Sequence, residues 1–218
     1  MSVAFSFSCT GVRAEPYAAG PTLVFRLALD AGAEVRVHAL VLQCQLRIEP
    51  ARRRYNPAEK AALRDVFGEP AQWGSSLNPI QFAQVSLTVP GFTGRTEVDL
   101  SVPCSYDLDV CAGRYFRALE EGEAPLLLLF SGTAFTGDRG FQVSPVPWDR
   151  EAVARMPVAV WRQMMDQHFP GCDWLRLPRE DMDALLDYRS RHGLPSWEAT
   201  VRALLATAGG PLLQGSRP

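Results

Sequence analysis

The stretch VPCSYDLDVCAGRYFRAL contains two cysteines, Cys104 and Cys111, that could form a disulfide or share a zinc ion. Alternating apolar residues from Val98 to Val110 predict one long strand, which would separate the two positions by roughly 23 Å at about 3.3 Å per residue. A disulfide requires Cα atoms within about 7 Å of each other, and zinc requires both sulfurs at about 2.3 Å. We therefore predict a buried Cys104 and a Cys111 that begins a helix, with no joint role.

Two carboxylates, Asp107 and Asp109, lie between these cysteines. Paired carboxylates can bind a cation or transfer protons, but the outward face of a half-buried strand has the same alternating pattern. Arg114 and Arg117 follow on the predicted helix. If this stretch contributes to function, we expect these four charged side chains to contact a partner at the surface.

A second group of possible ligands occurs in MMDQHFPGCDW, where Asp166, His168, Cys172 and Asp173 fall within eight residues. These are zinc-ligand types, but their spacing matches no established ligand pattern, and no second cluster completes a set of four. A histidine near a helix C-terminus also complements the helix dipole. A metal site made of Asp166, His168 and Cys172 is therefore the alternative interpretation, and no cofactor is our main expectation.

Signatures of hydrolases and nucleotide-binding proteins are missing from the sequence. Ser131 follows a buried apolar run, but the glycines of the G-x-S-x-G nucleophile elbow are not in place around it. We interpret Ser131 to Thr133 as a turn or bulge. The sequence also contains neither G-x-G-x-x-G nor a P-loop.

The charge balance excludes an electrostatic footprint for nucleic acid, because 22 basic and 24 acidic residues are interspersed and give a net charge of -2. The densest basic run is Arg52, Arg53 and Arg54, which is typical of a solvated surface but could contact a partner. No apolar run is long enough to span a membrane. An odd number of cysteines and the lack of a signal-peptide pattern favour reduced thiols and a cytoplasmic location.

The elements that must position these residues are mainly strands. Residues alternate between apolar and polar in about seven segments separated by Gly and Pro turns, and a continuous apolar run from Leu126 to Phe130 is typical of a central strand. The sequence predicts an α+β protein built on an antiparallel β-sandwich. One helix is inserted over 57–67, where Asn56 caps, Pro57 is the first helical residue and Glu59 completes a capping box.

The predicted sandwich covers 1–147, and helical periodicity begins after it. A three-helix segment over 148–208 is predicted to pack on the sandwich, and 209–218 to form a flexible tail. Trp148 lies in the Pro-rich segment SPVPWDRE, where it could anchor a partner. A further alternative is a small-molecule pocket between the sheet and the helices, lined by Trp148 and Trp161.

Several phrases taken in order carry a resemblance: RRRYNPAEKAALRDVFGEPAQW, VPCSYDLDV followed by RYFRALEEGEAPLLLLFSGTAF, VPWDREAVARMPVAVWRQMMDQHFPGCDWLRL and LPSWEATVRALL. From about Phe25 to Leu205 the chain resembles a bacterial family of unknown function that is commonly encoded in gene clusters for uptake NiFe hydrogenases. The resemblance implies no catalytic residue. It implies a non-catalytic accessory or scaffold protein that contacts a NiFe hydrogenase subunit or maturation factor, in assembly, maturation or electron-transfer support.

Overall fold

A computed structural model describes residues 3–104, 110–137, 140, 142–171 and 177–209. Its strands are β1 (Ser6–Ala14), β2 (Thr22–Asp30), β3 (Arg36–Ile48), β4 (Ile80–Thr93), β5 (Arg95–Pro103), β6 (Glu123–Thr136) and β7 (Gln142–Pro157). Its helices are α1 (Pro57–Ala62), α2 (Arg64–Phe67), α3 (Trp73–Ser76), α4 (Val110–Ala118), α5 (Val158–His168), α6 (Arg179–Arg191) and α7 (Trp197–Thr207). The chain divides into two compact units, Met1–Gly171 and Cys172–Pro218. None of the described helices is long and apolar enough to cross a bilayer.

The first unit contains a three-stranded antiparallel sheet in the order β1–β2–β5. Every second residue of β2 is apolar, and since strand side chains alternate between faces these residues share one side of the sheet. They are almost completely buried: Leu23, Phe25, Leu27 and Leu29. Val102 and Leu100 of β5 lie opposite Leu23 and Phe25, which extends the same buried face onto the next strand.

A four-stranded antiparallel sheet in the order β4–β3–β6–β7 forms the other layer. The apolar run of β6 explains its interior position in this sheet. Leu126, Leu128 and Phe130 point into the core and are at most 2% exposed, while Leu127 on the opposite face is 9% exposed. The central-strand prediction for this run is confirmed.

The two sheets pack face to face around one apolar core. Phe7 of β1 stacks on Phe130 of β6 with ring centroids 4.3 Å apart, which joins the two layers directly. Fully burying one large apolar side chain contributes about 1.5–3 kcal/mol, so a core of this kind is the main source of stability. The predicted α+β antiparallel β-sandwich with about seven strands and added helices is confirmed.

Gly132 permits the close approach of β6 to β3. A Cβ atom at this position would lie 2.1 Å from the carbonyl oxygen of Val41 and 3.0 Å from the Cα of Leu42, both in the paired strand. Such contacts cannot be relieved by rotating a side chain, because the opposing atoms are backbone. Glycine is therefore a steric requirement of the pairing.

The helical insertion between β3 and β4 begins as the sequence predicts. The Asn56 side chain accepts from the Glu59 N–H at 2.8 Å, and the Glu59 carboxylate accepts from the Asn56 N–H at 3.2 Å. The helix predicted over 57–67 occurs as two consecutive helices, α1 and α2. Tyr55 ties the insertion to α4 through a 3.1 Å contact between its hydroxyl and that of Tyr115, which is completely buried.

Two predicted strand boundaries are wrong. The strand predicted from Val98 to Val110 ends at Pro103, and Val110 belongs to α4. The last strand of the sandwich, β7, runs to Pro157, so the predicted end of the sandwich at 147 falls inside this strand. Ala152, Ala154 and Met156 alternate with exposed residues and point into the core, because the long edge of β6 offers a partner along this whole length.

The second unit contains α6 and α7 as a helix pair. Ser196 caps α7, because its side chain accepts from the Ala199 N–H at 3.2 Å. The guanidinium of Arg189 on α6 lies 5.2 Å from the centroid of the Trp197 ring on α7, a distance at which the cation and the aromatic ring attract each other.

Candidate functional site

Arg53 lies at the centre of a buried polar cluster. Its Nη2 donates to the Glu59 carboxylate and to the carbonyl oxygen of Glu121 at 2.6 Å, and its Nη1 donates to the carbonyl oxygen of Glu123 at 2.7 Å. The Arg53 side chain is 9% exposed and the Glu59 side chain 2%. Glu59 also accepts from the Glu120 N–H at 2.9 Å, so this cluster joins α1 to the turn between α4 and β6.

The interpretation of the arginine run as a solvated surface is therefore wrong for Arg53. Its two terminal nitrogens donate to internal acceptors and its Nε atom is buried, so the guanidinium is not available to a partner. Arg52 and Arg54 are exposed, and Arg52 lies 3.8 Å from Glu49. Because exposed pairs of this kind contribute roughly 0–1 kcal/mol, Arg52 stays free to exchange this partner for another.

An open groove of about 640 Å³ lies between α5 and the turn before β6. Its charged lining residues are Glu120, Glu121, Arg162 and Asp166. The Arg162 Nη2 donates to the Leu119 carbonyl oxygen at 2.6 Å, which fixes one wall of the groove. The groove thus presents mixed charges rather than a set of converging catalytic groups.

The suggested metal ligands are only partly described. Asp166 lines the groove, and His168 lies in the last turn of α5, while Cys172 is outside the described residues. Among the described residues, no three histidine, cysteine, aspartate or glutamate side chains lie together as metal ligands. The Nε2 atom of His168 is buried and has no hydrogen-bond partner among them.

The buried thiols of Cys44 and Cys104 are unreactive. Burial raises the pKa of both Cys44 and Cys104 to about 12, so both stay protonated at neutral pH. The prediction that Cys104 is a small core residue is confirmed. Cys111 lies in the first turn of α4, but its side chain is outside the described part of the chain.

Of the four charged residues predicted around this helix, only the two arginines can be placed. Arg114 and Arg117 are exposed on α4. Asp107 and Asp109 lie outside the described residues. The prediction that these four side chains contact a partner stays a prediction.

Trp148 lies on a bulge of the edge strand β7. Arg150 pairs with Phe130 and Val146 pairs with Gly132, so the three residues Pro147 to Asp149 oppose the single residue Ser131. Bulges of this kind turn a side chain out of the regular alternation of a strand. Trp148 is 88% exposed, an uncommon state for the largest apolar side chain.

Trp148 and Trp161, the two residues suggested to line a pocket, lie in different environments. Trp161 is 7% exposed and stacks on Phe116 with ring centroids 4.4 Å apart. It also meets Phe82 of β4 edge-on at 6.4 Å. Trp161 therefore fixes α5 to the core, whereas Trp148 contributes little to packing.

The outward faces of the two sheets differ in charge. The three-stranded sheet carries a lattice of exposed ion pairs, in which Arg13 lies 3.2 Å and Arg26 3.3 Å from Asp99, and Arg95 lies 2.7 Å from Asp30. These pairs keep the face strongly hydrated. Removing water from this face would cost more free energy than these weak ion pairs contribute.

The four-stranded sheet has an outward surface without charge over three cross-strand rows, which we call the neutral face. Its residues, row by row, are Pro90, Ala39, Phe135 and Val143; Thr88, Val41, Thr133 and Pro145; and Ser86, Gln43 and Ser131. Val41 is 42% and Val143 62% exposed. The third row ends at the bulge that carries Trp148.

Sequence reasoning did not identify the neutral face. The available signal was the set of outward positions of β3 and β6, where Val41, Gln43, Ser131 and Thr133 are all uncharged. Only the strand order and register show that these positions lie side by side.

The family of the chain can be assigned by comparison, because residues 2–211 match DUF6084, a family of unknown function. The chain belongs to DUF6084. No curated protein matches the sequence. Solved structures similar to this DUF6084 member include IrmA from Escherichia coli (12% identity, 67% of this chain and 86% of that chain, TM-score 0.33) and a putative late embryogenesis abundant protein (10% identity, 71% of each chain, TM-score 0.35).

Proposed function

We propose that this protein is a non-catalytic accessory that binds a protein partner through the neutral face, with Trp148 as the anchor. The observation that carries the proposal is the 88% exposed Trp148 on a bulge that adjoins an uncharged sheet surface. The centres of protein interfaces are depleted in charge, and tryptophan is enriched among the residues that contribute most to binding.

The sequence of β7 limits how the partner can bind. Pro145 and Pro147 lack the N–H group that an added strand would need, and Pro147 directly precedes the exposed tryptophan. A partner is therefore expected to pack side chains against the neutral face rather than extend the sheet. Its complementary surface should be apolar and poor in charge, since a buried unpaired charge would be costly.

The narrower proposal concerns the identity of the protein partner. The resemblance described above implies a NiFe hydrogenase subunit or a maturation factor, in assembly, maturation or electron-transfer support. The exposed arginines Arg52, Arg54, Arg114 and Arg117 are then expected to make peripheral contacts that speed association rather than provide affinity.

The test is affinity purification from the native host under hydrogenase-inducing conditions, with the wild-type chain and matched variants. Trp148→Ala and Val41→Lys should both lose a protein that the wild type retains. Tyr17→Ala is the control, because Tyr17 is 94% exposed in the turn between β1 and β2. Melting temperatures should be equal for the wild type, Trp148→Ala and Tyr17→Ala.

Two results would separate the broad proposal from the narrow one. Retention of every copurifying protein by both Trp148→Ala and Val41→Lys would overturn the neutral face as the binding surface. Loss of a specific protein that is neither a hydrogenase subunit nor a maturation factor would keep the surface and reject the hydrogenase context.

A metal carrier or metal-dependent enzyme is the second candidate. Its support is the buried Nε2 atom of His168, which has no partner among the described residues, together with Asp166 and Cys172 nearby in sequence. Elemental analysis of protein purified without chelator should then find near-stoichiometric metal that His168→Ala removes. A metal-free protein would reject this candidate.

A further inference from the structure

The helix pair of the second unit is too small to bury a core of its own. Helix α6 has 13 residues and α7 has 11, and isolated helices shorter than about 12–15 residues are marginal in water. Among residues 177–209, Thr200 is the only buried residue. The stability of the pair therefore depends on additional contacts.

An apolar stripe is exposed on this helix pair. On α7, Trp197, Val201 and Leu205 recur every four residues and are 39%, 50% and 39% exposed. On α6, Met182 and Leu186 repeat the spacing and are 36% and 45% exposed. Residues four apart share one side of a helix, so each set forms a continuous apolar surface. We call these five residues the helix stripe.

We propose that the helix stripe binds the same stripe of a second copy of this chain, forming a twofold dimer of helix pairs. The spacing on α7 is self-complementary in an antiparallel arrangement. With Val201 on the twofold axis, Trp197 of one copy meets Leu205 of the other, so a large ring faces a smaller side chain at both ends. In a twofold interface the same patch of both subunits meets its own copy. The even spacing of Trp197, Val201 and Leu205 is compatible with this symmetry.

The charges on α7 favour the same arrangement. Glu198 precedes Arg202 by one turn, and both are exposed. Antiparallel pairing about a twofold axis places the same flank of the two helices side by side, which brings Glu198 of one copy close to Arg202 of the other. Residues 177–209 contain four arginines and five carboxylates, so two copies carry little net charge to repel each other.

The size of the stripe sets the expected strength. Its five side chains expose roughly 400 Å² of apolar surface per copy, which is comparable to the largest apolar patch of an ordinary monomer. Two copies would bury roughly 800 Å² of apolar surface plus a polar rim, which is near the lower limit of about 1,200 Å² for specific interfaces. The dimer is therefore expected to be weak and concentration-dependent.

Sedimentation velocity of the full chain, from about 5 to about 500 µM, tests the proposal over the range of a weak complex. The wild type should shift from monomer to dimer. Val201→Asp should stay monomeric, while the control Ala206→Asp, exposed but off the stripe, should dimerise as the wild type does. A monomeric wild type over the whole range, or a dimer unaffected by Val201→Asp, would overturn the proposal.

Cross-linking provides a second readout that does not depend on a destabilising charge. In the Val201→Cys variant the new thiol lies near its symmetry mate, so mild oxidation should give a covalent dimer on a non-reducing gel. Ala206→Cys and the wild type are the controls for the natural cysteines. Equal cross-linking in all three chains would reject the twofold arrangement, and Trp148→Ala should not change any of these results.

Discussion

Glu59→Ala should destabilise the protein strongly, although Glu59 lies on a short surface helix. The substitution removes the carboxylate that accepts from the Arg53 guanidinium, from the Glu120 N–H and from the Asn56 N–H. A guanidinium that is only 9% exposed then remains without its counter-charge. Two backbone N–H groups also lose their acceptor.

The expected loss is about 3–5 kcal/mol, which is the usual cost of removing one member of a buried ion pair. The capping role of Glu59 can account for about 1 kcal/mol of this. A loss of this size is a large part of a total stability of about 5–15 kcal/mol. Urea unfolding followed by circular dichroism measures it, with Glu121→Ala as the control. Glu121 contributes its carbonyl oxygen to Arg53, so removing its side chain should change stability by less than about 0.5 kcal/mol.

The double variant Arg53→Met/Glu59→Leu separates the ion pair from the remaining contacts. Because replacing both members leaves no unpaired charge, the double variant should lose less than the sum of the two single variants by at least about 1 kcal/mol. Additive losses, or a loss below about 1 kcal/mol for Glu59→Ala, would refute the argument that the pair is buried and coupled.

Three further predictions concern packing and ionisation. Gly132→Ala should lose at least about 2 kcal/mol in urea unfolding because its Cβ would collide with the paired strand, while Gly113→Ala on α4 meets no atom within 4 Å and should not destabilise. Trp161→Ala should lose about 3–5 kcal/mol, while Trp148→Ala should leave the melting temperature unchanged and lower the iodide-quenchable fluorescence. Burial raises the pKa of the Cys44 thiol from 9.0 to about 12. As the pH rises above 9.0, the thiol therefore loses its proton in the unfolded chain before it does so in the folded protein. The contribution of the buried, protonated thiol to the stability of the fold is complete below pH 9.0 and declines as the pH rises towards 12. Between pH 8 and pH 10, the unfolding free energy of Cys44→Ala should decrease by about 1 kcal/mol less than that of the wild type.

Local signals in the sequence predicted the elements whose stability is local. Asn56, Pro57 and Glu59 indicated the start of α1, and the capping box forms as expected. The alternation of β2 and the apolar run of β6 predicted one half-exposed strand and one interior strand. Each of these conclusions depended on residues within a few positions of one another.

Features that depend on distant pairing were not predictable in the same way. Arg53 resembled its exposed neighbours in sequence, and only the turn at Glu121 and Glu123 makes it internal. The extension of β7 to Pro157, past the predicted end of the sandwich at 147, depends on its pairing with the long edge of β6. The neutral face likewise depends on the register of β3 with β6, which no short motif specifies.

The position of β3 between β4 and β6 has a consequence for synthesis on the ribosome. The register pairs Ile48 with Leu126, so the second neighbour of β3 is translated long after β3 itself. At about 5–20 residues per second, the nascent chain waits roughly 4–16 seconds with one side of β3 unpaired. During that interval Leu40, Leu42 and Leu46 lack the core residues that β6 places beside them in the same sheet. Ribosome-bound chains that stop before Glu123 should therefore be far more sensitive to protease than chains extended beyond Pro157. The long apolar β6 is thus the segment whose emergence commits the sandwich to fold, and chaperones are expected to act before it leaves the exit tunnel.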